Sequence, residues 1–177
     1  MIVMKHQGII VTAKEICIMS LMTALLLGGQ YVLAWISGVE VVTVLLVSFS
    51  YVFGAKRGCT VATSFSLLRC FLFGFFPHVV LLYLLYFNAF ALFWGTLGRK
   101  LKRLPDIVLA AAVCTVCFTL LDDLIWPMFA GWNIAWAYFL ASFTAMLPHT
   151  LCTAVTVTVF FRPLTKIFNS VAKNIVK

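Results

Sequence analysis

Residues 15–36 read EICIMSLMTALLLGGQYVLAWI, and after the opening glutamate no charge interrupts the run. About 20 apolar residues cross the hydrocarbon core of a bilayer as a helix. The run is too long for the hydrophobic region of a secretory signal, and no small-x-small cleavage site follows it, so a retained membrane helix is expected. Further apolar runs follow at 39–55, 58–76, 78–98, 106–126 and 133–162, the last interrupted by Pro148. They are apolar all round, whereas barrel strands alternate apolar and polar residues. The 177 residues are 64% hydrophobic and 10% charged, with a mean hydropathy of +1.11. A soluble domain of this size could not hide so much apolar surface. The expected fold is an all-α integral membrane protein, one domain over 1–177 with six transmembrane helices.

The charges orient it. With the N-terminus inside, the inner segments hold Lys5 and Lys14; Lys56 and Arg57; Arg99, Lys100, Lys102 and Arg103; and Arg162, Lys166, Lys173 and Lys177. The outer connections near 37–40, 75–78 and 127–132 hold no Lys or Arg. This positive-inside bias predicts that both termini are cytoplasmic. The sequence pI of about 9.4 therefore reads as topology, and no nucleic-acid partner is expected.

Arg69 is the one basic residue topology leaves unexplained. It interrupts SFSLLRCFLFGFF at 64–76, and at 1.5 Å per residue it is expected at or just beyond the bilayer midplane, on the outer side. Charges at that depth are costly; they pair with one another or line a polar path. Asp122 and Asp123 occupy the outer half of span five, so two readings stand. Arg69 and the acidic pair lock two helices, or they face a pocket and bind a polar group such as a carboxylate or phosphate.

The stretch LIWPMFAGWNIAWAYF at 124–139 crowds Trp126, Trp132, Trp136 and Tyr138 around the last outer connection. It reads either as an aromatic belt at the membrane surface or as flat walls for a ring-containing ligand, with Asn133 as a polar contact. Trp35 can join either role. His78, Asn88 and Glu40 are secondary pocket candidates, with a solvated loop and an interhelical hydrogen bond as the plainer roles of His78 and Asn88. His149, beside Pro148, is read as a packed, hydrogen-bonded side chain. Ser20, Ala24 and Gly28 recur every four residues along span one, a spacing that admits a close-packed helix, either from this chain or from another subunit.

Glu15 and Asp106 open helices, where acids are favourable. The six cysteines lie almost all within apolar runs and read as small buried residues; Cys114 and Cys117 lack the partners of a metal site. No phosphate-binding loop, zinc-protease or nucleophile-elbow motif is present, so no catalytic residue, metal or cofactor is assigned.

Several segments resemble the substrate-binding membrane subunits (S components) of energy-coupling factor vitamin transporters: the size, six spans with both ends inside, YVFGAKRGCTVATSFSLL at 51–68, and the ending AYFLASFTAMLPHTLCTAVTVTVFFRPLTKIF at 137–168. The family's alanine-x-x-x-alanine docking pattern appears only as Ser20–Ala24–Gly28. The resemblance implies a multi-pass subunit of a bacterial cell membrane that captures a vitamin-like small molecule from outside. It also implies partners: a transmembrane coupling subunit and two cytoplasmic ATPases. The family's metal-importing branch uses an N-terminal Met-His site, which MIVMKH does not reproduce. Arg69, Asp122, Asp123, Trp126, Trp132, Asn133 and Trp136 are then the expected pocket, with span one as the docking face. The alternatives are a stand-alone proton-coupled secondary transporter using Asp122 or Asp123, a membrane enzyme, and an assembly subunit.

Overall fold

The computed structural model describes residues 12–36 and 41–175. The helices are α1 (Ala13–Leu33), α2 (Val42–Phe53), α3 (Ala55–Phe73), α4 (Pro77–Thr96), α5 (Leu104–Ala130) and α6 (Ala135–Ile175). Single 3-10 turns at Gly98–Lys100 and Trp132–Ile134 precede α5 and α6, and no strand occurs among the described residues. The chain is all-α, and α1, α4, α5 and α6 are long and apolar enough to cross a membrane.

Local chemistry fixes the boundaries. Thr12 and Glu15 form a capping box at the start of α1: the Glu15 amide donates to Thr12 Oγ1 at 3.3 Å, and the Thr12 amide donates to Glu15 Oε2 at 3.0 Å. Proline opens α4 and α5, where its missing N–H costs nothing. Gly54 is the whole connection between α2 and α3; its φ of 85° lies in the region that glycine alone enters freely.

Three element lengths differ from the sequence reading. The run 39–55 gives a helix of only 12 residues, about 18 Å long, which is shorter than the hydrocarbon core. It survives by burial: nine of its residues, Leu46, Val47 and Phe49 among them, are shielded by the neighbouring helices. α5 continues through Pro127 to Ala130. α6 runs unbroken through Pro148 and Pro163 for 41 residues, about 60 Å. Its final stretch packs Leu164, Phe168 and Val171 against the core, with the Phe168 ring edge-on to Phe49 at 5.9 Å. That packing, absent from any hydropathy pattern, extends the helix past 162.

The bundle has two chemically distinct ends. At one, Arg57 pairs with Glu15, and Arg99 reaches from the turn after α4 to the Val52 carbonyl at 3.5 Å, so the basic connections gather around Gly54. A cleft of about 460 Å³ opens there, lined by Met19, Phe53, Lys56, Arg57 and Thr60 among others. At the other end lie Trp35, Phe75, Phe76 and Trp132, all strongly exposed. Between them, Thr115 of α5 donates to Thr153 of α6 at 3.0 Å, and Tyr86 of α4 donates to the Cys114 carbonyl at 2.9 Å. All six cysteines are free.

Candidate functional site

At the Trp-rich end, α4, α5 and α6 bring a carboxylate and several rings together. Asp122, two turns before the end of α5, accepts a hydrogen bond from the Tyr138 hydroxyl of α6 at 2.7 Å. The Tyr138 ring lies 5.7 Å from Trp126, and the Trp126 ring meets His78 at 4.3 Å in an edge-on arrangement. Phe129 and Phe76 flank His78 at 6.1 and 6.2 Å. Asp122, Trp126, Tyr138 and His78 are each partly buried. Helical spacing explains the cluster: Asp122 and Trp126 are four residues apart and share a face, while Pro77 starts α4 with His78 in its first turn. One carboxylate beside aromatic faces suits a ring carrying an N–H or O–H donor.

Asp123 turns away from its neighbour, as adjacent helix positions do, and accepts from Ser142 Oγ. The two acids therefore tie α5 to α6 through hydroxyls. No Arg69–aspartate pair forms: among the described residues the single ion pair is Arg57–Glu15. The ion-pair reading is therefore corrected: α3 packs against α4, α1 and α2, while the aspartates bond to hydroxyls of α6.

Arg69 stands four residues before the end of α3, about 6 Å from it along the axis, nearer the rim than the midplane depth read from the sequence. Its guanidinium carbon lies 4.4 Å from the Tyr83 ring centroid and 4.7 Å from that of Phe73. Gln30 of α1 donates to the Tyr83 hydroxyl at 2.9 Å, and Tyr31 meets Phe73 edge-on at 6.1 Å. Arg69 Nε and Gln30 Oε1 are both buried without a hydrogen-bond partner. A cation–π contact is worth about 0.5–2 kcal/mol. Arg69 is only partly buried, with its Nε shielded from water, and neither ring carries a compensating charge. The two rings thus steady the guanidinium without neutralising it.

The remaining candidates are dispersed. Trp132 and Trp136 are 65% and 70% exposed, and neither makes a ring contact with the cluster; Trp136 stacks on Phe139 instead. Asn133 belongs to the turn, its Oδ1 packed against Gly131, whose φ is 102°. Asn88 joins helices: it accepts from Thr63 of α3 at 2.9 Å and donates to the Leu84 carbonyl. Glu40 lies outside the described residues. Ser20 and Ala24 are exposed, and a methyl added at Gly28 would meet nothing within 4 Å.

Sequence reasoning missed the partners Ser142, Tyr83, Phe73 and Gln30. Gln30 left a signal, as the only amide in the apolar run 16–36. The chain matches no protein-family model, no curated protein and no solved structure.

Proposed function

We propose that the chain is the substrate-binding subunit of an energy-coupling factor importer in a bacterial cell membrane. In this reading the basic Gly54 end faces the cytoplasm with both termini. The chain passes the membrane six times, with α2 covering part of the thickness inside the bundle. Asp122, Trp126, His78 and Tyr138 receive a small heterocyclic compound at the outer end, the carboxylate taking a donor from the ring. The coupling subunit and two ATPases supply the energy.

The observation that carries the proposal is the free face of α1. Ser20, Ala24 and Gly28 form a strip of small residues turned away from the other helices. Small residues let two membrane helices approach closely, and among the described residues no helix packs on the strip. A helix meant only to face lipid gains nothing from it, since lipid packs equally well against leucine.

The test is co-purification. The wild-type chain is expected to retain a transmembrane coupling subunit with its ATPases, whereas Ala24→Trp and Gly28→Leu lose them at unchanged folded yield. Uptake by the chain alone in vesicles, abolished by an uncoupler, would replace this reading with proton-coupled secondary transport.

A further inference from the structure

We infer that Arg69, held against the Tyr83 ring, and Gln30, hydrogen-bonded to the Tyr83 hydroxyl, form a binding site between α1, α3 and α4 for the phosphate group of an outer-leaflet lipid or of a free solute. This site is separate from the Asp122 cluster, and it stands whether or not the chain serves an importer.

Four observations converge. Arg69 has no anion paired to it, for the single ion pair among the described residues lies at the opposite end of the bundle. Its orientation is nevertheless fixed, with Tyr83 and Phe73 rings at 4.4 and 4.7 Å from the guanidinium carbon. A guanidinium held by ring contacts alone keeps its N–H fork uncommitted, and that fork matches phosphate oxygens. Gln30 shares the Tyr83 anchor: its Nε2 donates to the hydroxyl while Oε1 is buried without a partner, able to accept from a protonated oxygen or a neighbouring hydroxyl of the ligand. Last, Arg69 is about 6 Å from the end of α3, at the end of the bundle where Tyr31 and Trp35 are 57% and 91% exposed. Exposed Tyr and Trp mark the headgroup level of a bilayer, which is where lipid phosphates lie. An arginine one turn below that level can meet them.

Two probes separate the sources. The full chain in a non-ionic detergent is titrated with dioleoylphosphatidylglycerol, read by native mass spectrometry, and separately with inorganic phosphate, read by the thermal midpoint. At least one probe is expected to bind with an affinity that falls about tenfold or more in Arg69→Gln, as loss of charge-assisted bonds requires. Arg69→Lys should recover part of it. The lipid responding assigns a headgroup site; phosphate responding assigns a solute site. Lys166→Gln, at the basic end, should change neither Arg69-dependent signal. Gln30→Leu keeps the charge and removes the amide, and is expected to weaken the same probe several-fold; it decides the matter where Arg69→Gln does not fold. Equal binding of both probes by the wild type and these variants overturns the inference, and leaves the Asp122 cluster untouched.

Discussion

The backbones of Gly95 in α4 and Ala55 at the start of α3 are in direct contact. A Cβ built on Gly95 would stand 2.2 Å from the Ala55 nitrogen and 2.7 Å from the Gly54 carbonyl carbon. No flexible side chain is there to yield, so Gly95→Ala must push two helices apart. Overpacking of this kind costs about 1–3 kcal/mol or more. Gly28→Ala meets open space and should be neutral or slightly stabilising, since alanine favours helix. The thermal midpoints of the two variants in detergent make the comparison, and equal values would contradict the close α3–α4 approach.

Asp122 and Tyr138 give a second contrast. Tyr138→Phe removes the donor to a partly buried carboxylate, and a hydrogen bond to a charged group is worth about 1.5–3 kcal/mol. Under the import reading, Asp122→Ala and Tyr138→Phe both lower ligand affinity while folded yield persists. Native mass spectrometry of the purified chain identifies a co-purified ligand and reports its loss. Poor folding of both variants, with affinity retained in the surviving protein, would assign the pair to structure alone.

Thr115 and Thr153 test whether α5 and α6 are joined by a hydroxyl pair at the core. Both are buried, and Thr115 Oγ1 is 3.0 Å from Thr153 Oγ1 and 3.1 Å from the Ala111 carbonyl. Thr115→Val alone strands a buried hydroxyl and should cost about 1–3 kcal/mol. Adding Thr153→Val removes the stranded partner, so the double variant should be more stable than additivity predicts. A denaturation cycle over the four proteins measures this; strict additivity would rule the coupling out.

Phe168 decides whether the last turns of α6 belong to the folded bundle. Its ring contacts Phe49 and Phe53 at 5.9 and 6.1 Å. Truncating a half-buried phenylalanine should cost about 2 kcal/mol, below the 3–5 of a fully buried one. Ile167, the exposed neighbour, should tolerate alanine. Hydrogen exchange over 162–172 reports the same point locally, with Phe168→Ala raising it and Ile167→Ala leaving it unchanged.

The sequence alone determined the all-α class, the positions of the helical cores and the chemical polarity of the molecule. Those properties follow from composition and span length, which the chain carries residue by residue. Gly54, Gly74 and Gly131 take positive φ at the corners between helices, a conformation that selects glycine. The aromatic and acidic character of the 122–138 region was legible too, though not the Asp122–Tyr138 bond within it. Tertiary structure decided what pairs with what. Charge attraction suggested joining Arg69 to the aspartates, but the aspartates bond to hydroxyls of α6, and the guanidinium lies against the rings of Phe73 on α3 and Tyr83 on α4. It also decided that α2 is a short buried helix and that α6 continues past 162, since hydropathy registers how apolar a segment is and not which surface shields it. Partners across a helix interface are set by rotation and depth of whole helices, quantities that no single segment encodes.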